Sequence, residues 1–351
     1  MGVETLAFES ELSAYTQARH VVSVNSCTSA LHLALLVSGV REGDEVICPS
    51  LTWCSTANAA LYLGARPVFC DVDAGTLCLS AETVRAKLTP RTRAVIAVHF
   101  GGLAVDVAAL RRILPKRVAI IEDAAHALGS AYPDGRPVGS SGNLVCFSFY
   151  PNKNLATAEG GAVALADAAL ADRLRSLRQH GLPVSAWNRF TNPRSLLQSA
   201  KLVELGYKMN FTDLQACIAR VQLSRQKEFD RRRKAIARLY FKRLAGLRTS
   251  LTFQDEACAA GHARHLFVIQ LPVGSGRSKR DKLVLELRKR KIGATIHYFP
   301  LHKMPLYGKR GRAALPVTES VCDRIITLPI SSSMSLADAG YVADHTIELL
   351  G

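Results

Sequence analysis

The chain has 351 residues, of which 48% are hydrophobic and 21% charged, with 24 glycines and 14 prolines scattered along it. That length and balance exclude a disordered or low-complexity chain and allow a large core, with two domains expected because single cores stop growing near ~250–300 residues. A formal net charge of +16 draws nucleic acid, membrane surfaces and small polyanions alike, so the sign chooses no function by itself.

The N-terminal MGVETLAFESEL is acidic and has no basic region followed by an apolar stretch, so no signal peptide is expected. No run approaches the ~20 apolar residues of a membrane span. Nine cysteines (Cys27, Cys48, Cys54, Cys70, Cys78, Cys146, Cys217, Cys258 and Cys322) are an odd number without a CxxC pair. They read as buried free thiols in a reducing cytoplasm, and no metal site is expected.

From residue 20 to about residue 180, short β-branched runs alternate with helical patterns, the signature of parallel βα units. VICPS, RPVFCDVD, RAVIAVHF, VAIIEDAA, LVCFSFY and GGAVALA are the expected strands, with helices over 28–37, 55–63, 81–88, 107–114 and 166–178. Several strands are almost continuously apolar, as strands covered on both faces are. Polar residues recur at the expected strand ends: Asn25, Ser26, Ser50, Thr52, His99, Glu122, Asp123 and Ser148. In an open parallel sheet those ends border the ligand crevice.

A long basic helical pattern over 211–240 then leaves the sheet region. The densest charge lies at Arg231, Arg232, Arg233 and Lys234 and over 277–291, in helix-like sequence without interleaved aromatic residues. Solvated helix faces are the plainer reading of both runs, and nucleic-acid binding the weaker one. The remainder mixes strand-like HLFVIQLP, ATIHYFP and IITLPI with helices over 280–290 and 336–350. The fold class expected is α/β, a large domain with a mainly parallel sheet over 1–235 and a smaller α+β domain over 236–351.

Four segments carry candidate chemistry. Lys153, in FSFYPNKNLATAEGG, stands between an aromatic strand and a glycine pair, where partial desolvation would free its amine to attack a carbonyl. Asp123, in IIEDAAHALG, ends an apolar strand, where a charge needs a partner such as a protonated pyridine nitrogen. Thr28 and Ser29 open a helix after a short strand, a natural phosphate seat. Trp53, in PSLTWCSTANA, can stack on an aromatic ring. Each has a plainer alternative: a surface lysine, two helix caps and a core tryptophan. Their occurrence together, in this order, is the signal.

PSLTW, IIEDAAHALG, FSFYPNKNLATAEGG, RQHG and GYKMNFTDLQACIARVQL together resemble the sugar aminotransferases of the DegT/DnrJ/EryC1/StrS family over nearly the whole chain. The resemblance implies the fold type I architecture of pyridoxal-phosphate enzymes and a homodimer that acts on nucleotide-linked keto sugars, with glutamate as amino donor. Carried over, Lys153 holds the cofactor as a Schiff base and moves the proton, and Asp123 pairs with the pyridine nitrogen. His126 lies near the phenolic oxygen, Thr28, Ser29 and Ser148 contact the phosphate, and Trp53 covers the ring. Asn210 reaches the neighbouring subunit's phosphate, and His297 and His302 are weaker sugar-nucleotide candidates, with satisfied strand-edge histidines an equal reading.

PSLTW, EDAAHA and LGYKMN further resemble enzymes that aminate carbon 4 of a UDP-linked 4-keto sugar. Three departures stand out: the family's further N-terminal stretch is missing, Cys27 stands where Gly or Ala is common, and Leu103 where Gln or Pro is frequent. Sugar dehydratases of the same fold carry histidine in place of the lysine, which Lys153 argues against. The alternative of another class is a non-catalytic regulator that binds through its basic surface.

Overall fold

The computed structural model describes residues 1–182, 202, 204–247, 251–254, 261–308 and 314–350. Cys258, counted above among the thiols, lies outside them. Seven strands form one sheet: β1 (His20–Val24), β2 (Glu45–Pro49), β3 (Arg66–Cys70), β4 (Thr92–Val98), β5 (Ala119–Asp123), β6 (Leu144–Ser148) and β7 (Gly161–Leu165). Their spatial order is β1-β7-β6-β5-β4-β2-β3. β7 pairs antiparallel with both β1 and β6, while the other four pairings are parallel, so β7 alone runs against the rest.

The apolar runs form strands because both faces of this sheet are covered. Alternation sends Val95, Ala97 and Ile120 to a core shared with Phe8, Leu12 and Phe149, and Ala94, Ile96 and Ile121 to one shared with Ala30, Leu31 and Ala57. The second face is built by α2 (Cys27–Val37) and α3 (Cys54–Leu61), and α6 (Ala168–Leu177) adds to it. The first is covered in part by α1 (Val3–Thr16), a helix the sequence reading did not assign. Short helices α4 (Ala81–Arg85) and α5 (Val107–Ile113) complete the layers.

The single basic helix expected over 211–240 is two: α7 (Asp213–Ser224), opened by a Thr212–Gln215 capping box, and α8 (Gln226–Arg243). They break at Arg225, which serves as C-cap of one and N-cap of the next, with no glycine or proline to announce it. α8 carries the chain to a second, antiparallel sheet of order β10-β9-β8, made of β8 (Thr252–Phe253), β9 (Phe267–Gln270) and β10 (Ile325–Leu328). Helices α9 (Gly276–Lys289), α10 (Pro305–Gly308), α11 (Pro316–Cys322) and α12 (Leu336–Leu350) follow α8. Residues of α8, α9 and α12 share one core with this sheet.

ATIHYFP, expected as a strand, is not one. It makes a single bridge, Thr295 to Thr327, and then turns toward the end of the large sheet, with a cis His297–Tyr298 peptide bond. Apolar and aromatic content made it strand-like, but it lines a cavity rather than a ladder.

Candidate active site

The carboxyl ends of β5 and β6, the start of α2 and the 297–298 turn enclose a cavity of about 490 Å³. Strand alternation decides what β5 contributes: Glu122 shares the Ile120 face and Asp123 the Ile121 face, so two consecutive buried carboxylates meet opposite surroundings.

Glu122 lies under the sheet and is saturated. It pairs with His99 Nε2 at 2.9 Å and accepts from Tyr132 Oη at 2.6 Å, Ser141 Oγ at 2.5 Å and Asn143 Nδ2 at 2.8 Å. Burial alone would raise its pKa, but bonds from His99, Ser141 and Tyr132 outweigh burial and hold it below the ordinary carboxylate value. Asp123 lines the cavity with, among the described residues, two donors, Thr56 Oγ1 at 2.8 Å and the Ala125 N–H at 3.2 Å. Burial therefore prevails and its pKa is raised. A carboxylate accepts up to about four hydrogen bonds, so Asp123 keeps capacity for a positively charged partner in the cavity.

Lys153 follows β6 in a turn closed by its own N–H to the Tyr150 carbonyl at 2.9 Å. Its side chain lines the same cavity and, among the described residues, its ammonium makes no hydrogen bond or salt bridge. Burial lowers its pKa against the opposing pull of Asp123 and Cys27. The result is an amine more readily deprotonated than a surface lysine.

At another side of the cavity α2 begins, capped by Ser26, whose hydroxyl accepts from the Ser29 N–H at 3.1 Å. The first-turn N–H groups of Cys27 and Thr28 have no acceptor within the helix and favour an anion. β7 passes close beneath: a Cβ on Gly161 would stand 2.6 Å from the Cys27 nitrogen, so only glycine fits there.

His126 lines the cavity with an assigned tautomer. Its Nδ1 accepts from the Gly101 N–H at 3.3 Å, and burial, then Lys153 and His265, drive its pKa well down and keep the ring neutral. The proton therefore sits on Nε2, which faces Tyr298 Oη at 3.3 Å. Tyr298 in turn lies 5.9 Å from the Trp53 ring.

Of the residues singled out by sequence, Thr28, Trp53, Asp123, His126, Ser148, Lys153 and His297 line this one cavity. Trp53 is 61% exposed, so it forms the rim and not a core contact. Three others do not line it. Ser29 is turned to the helix start, its hydroxyl donating to Asn25 Oδ1 at 2.7 Å. Both ring nitrogens of His302 are engaged in a bridge from Ser50 (2.7 Å) to Glu319 (3.1 Å). Asn210 stands just beyond Met209, whose carbonyl accepts from the Asn25 N–H at 3.0 Å. His297, on the wall, has its Nδ1 2.9 Å from Thr327 Oγ1, and burial followed by Lys153 lowers its pKa to about 4. Tyr298 and Asn152 were missed. Tyr298 had a readable signal, an aromatic beside a candidate histidine; Asn152 had only its closeness to Lys153.

An under-satisfied buried acid, an unbonded amine of lowered pKa and an anion-seeking helix start thus open on one cavity. That donor set complements the pyridine nitrogen, carbonyl and phosphate of pyridoxal phosphate, and the residues present fit this cofactor. Among the described residues no cluster of His, Cys, Asp or Glu could hold a metal, and no helix is long and apolar enough to cross a membrane.

Residues 1–346 match the DegT/DnrJ/EryC1/StrS aminotransferase family. The spore coat polysaccharide biosynthesis protein SpsC of Bacillus subtilis (strain 168) is 39% identical over 357 aligned positions, covering 99% of this chain and 90% of SpsC. Among solved structures, DesV of S. venezuelae in complex with a ketimine intermediate superposes with a TM-score of 0.89 at 34% identity, over 99% of this chain and 89% of DesV. Spr1654 of Streptococcus pneumoniae in its PLP form gives 0.88 at 28%, over 99% and 91%.

Proposed function

This chain belongs to the DegT/DnrJ/EryC1/StrS aminotransferase family, and we propose that it uses pyridoxal phosphate to move an amino group from L-glutamate to carbon 4 of a UDP-linked 4-keto sugar. The observation that carries this reading is the convergence of Lys153, Asp123 and the α2 start on one cavity. Sugar chemistry is supported by SpsC, whose name places it in spore coat polysaccharide biosynthesis. The excess of positive charge suits a substrate with a pyrophosphate.

Bound cofactor supplies an electron sink for the carbanion left when an α-proton departs. Lys153 Nζ would hold the cofactor by its carbonyl carbon and, as a free amine, would take up the proton that leaves the amino-acid α-carbon in one half-reaction and supply the proton that the sugar carbon gains in the other. Its lowered pKa makes that amine easier to deprotonate than a surface lysine's. Asp123 keeps a proton on the pyridine nitrogen through an oxygen that Thr56 and Ala125 leave partly free. The first-turn N–H groups of α2, Thr28 and Ser148 hold the phosphate. Ser29 acts indirectly, by fixing the helix start. His126, neutral, would face the phenolic oxygen and rim-placed Trp53 would cover one face of the ring. His297 faces the sugar side, whereas the Ser50–His302–Glu319 bridge gives His302 a structural part instead. Glutamate leaves as 2-oxoglutarate before the keto sugar is aminated.

The reading includes a homodimer in which Asn210 reaches the second copy's phosphate site. Its support is an exposed apolar stripe on α7, Leu214, Ile218 and Val221 at helical spacing, close after Asn210 in the chain. We place the domain division at 235/236, within α8, because Arg233 bonds to the Lys153 loop while Ile236 and later residues join the core of the second sheet. Cys27, Cys48, Cys54, Cys70, Cys146, Cys217 and Cys322 are free thiols, which suits a reducing compartment such as the cytoplasm.

The test is the absorption spectrum of the protein with pyridoxal phosphate. A visible band that is bleached by glutamate and absent in Lys153→Ala is expected, followed by amine transfer within a panel of nucleotide keto sugars. A parent protein without the band would overturn the enzyme reading in favour of a binding role, and light scattering at the monomer mass would overturn the dimer.

A further inference from the structure

Resting on the cofactor role of Lys153 proposed above, we infer that Asn154 is the positioning residue for Lys153, held in a clamp by His265, Arg233 and the Leu128 carbonyl. Three bonds from three parts of the chain end on this one buried residue. Its Nδ2 donates to Leu128 O at 3.1 Å, its Oδ1 lies 3.0 Å from His265 Nδ1, and its main-chain carbonyl accepts from Arg233 Nη2 at 3.1 Å.

The chemistry fixes every donor. Leu128 O can only accept, so the amide nitrogen of Asn154 must face it and Oδ1 must face His265. Oδ1 can only accept, so the His265 proton sits on Nδ1. Burial, then the charges of Lys153 and Arg233, holds the ring neutral and keeps that single tautomer. The same ring lies 4.4 Å from His126 on the cavity wall, so the clamp reaches the cavity at two points.

Arg233 is the unusual member. It is 4% exposed, and its Nε has no partner among the described residues. A guanidinium is costly to bury, and its one hydrogen bond among the described residues goes to the residue after Lys153. Asp230, one turn earlier on α8, offsets the charge, and the chain makes room for it: a Cβ on Gly129 (φ +89°) would stand 2.6 Å from Asp230 Oδ2. A surface lysine needs no such arrangement. A lysine that must hold the cofactor and handle a proton in each half-reaction does, because a displacement of ~1 Å can slow a reaction by ~10²-fold.

The test uses the full chain loaded with pyridoxal phosphate: the parent, Asn154→Ala, His265→Ala, their double variant and His265→Asn, whose amide nitrogen can replace Nδ1–H. Stopped-flow bleaching of the visible band by glutamate gives rate and affinity, and a pH titration of the band reads the lysine's environment. Asn154→Ala is expected to slow bleaching by about thirtyfold with glutamate affinity kept within about threefold, and to move the titration. His265→Asn should stay within about threefold of the parent, and the double variant should be no slower than the worse single one, since both variants remove the same Asn154 Oδ1–His265 Nδ1 bond.

Additive effects, a His265→Asn variant as slow as His265→Ala, or Asn154→Ala within about twofold of the parent would each overturn the clamp. If Asn154→Ala does not fold, the His265 pair decides alone. A parent without a visible band defeats the cofactor reading and this inference with it; a normal parent with unmoved variants defeats only the inference.

Discussion

Glu122 and Asp123 are neighbours on one strand and both buried, yet they sit in opposite chemical conditions. On the face toward α1, Glu122 has four side-chain partners and a pKa held down; on the face toward α2 and α3, Asp123 has two donors and a pKa pushed up. A saturated carboxylate has nothing left to offer a ligand and serves the fold. An under-saturated one is a strained element of the free protein that a cationic ligand relieves, which is why perturbed acids mark functional cavities.

The contrast breaks first at Asp123. Asp123→Asn should lower amino transfer by ~10²-fold or more while leaving the fold intact, since the amide cannot hold a proton on the pyridine nitrogen. Steady-state rates beside a far-ultraviolet spectrum check this, and an Asn variant at parental rate would remove Asp123 from the site. Glu122→Gln should do the reverse, sparing the chemistry and costing about 2–4 kcal/mol of stability by leaving buried donors mispaired. Denaturant unfolding measures it.

The pH dependence should also oppose the two. Glu122 has a folded pKa below its ordinary value of 4.5, so its stabilisation is present above that pH and is lost as pH falls through the folded value. The gap in melting temperature between parent and Glu122→Gln should therefore close on acidification. Asp123, with its folded pKa raised, is harder to ionise in the folded state than in the unfolded one. Without cofactor, Asp123→Asn should thus melt slightly higher than the parent at pH 7, and a lower melting point would contradict the reading. The smallest effect is expected at the rim: Trp53→Ala should weaken cofactor retention by about three- to tenfold, the worth of one stacked ring, measured by dialysis and residual absorbance.

Asp123 was legible in the sequence because it is a charge at the end of an apolar strand, and Lys153 because it stands between an aromatic strand and a glycine pair, where desolvation is readable from the neighbours alone. Thr28 was legible because helix starts announce themselves. Ser29 and His302 were misplaced relative to the cavity for a shared reason: a polar side chain has several nearby partners, and sequence does not say which it takes. Ser29 took Asn25 and His302 took Ser50 and Glu319. The break at Arg225 and the loss of the 294–300 strand were hidden because composition there suits the element that did not form.

Sequence by itself determined the alternation that sets Glu122 and Asp123 on opposite faces, the apolar strands that bury them, and the order of segments that marks the family. Those are local properties, fixed by periodicity and burial. Only the tertiary structure decided that His265 and Arg233, 112 and 80 positions beyond Lys153 in the chain, meet at Asn154. Long-range hydrogen bonds depend on where folded elements come to rest, and no spacing in a one-dimensional chain encodes that distance.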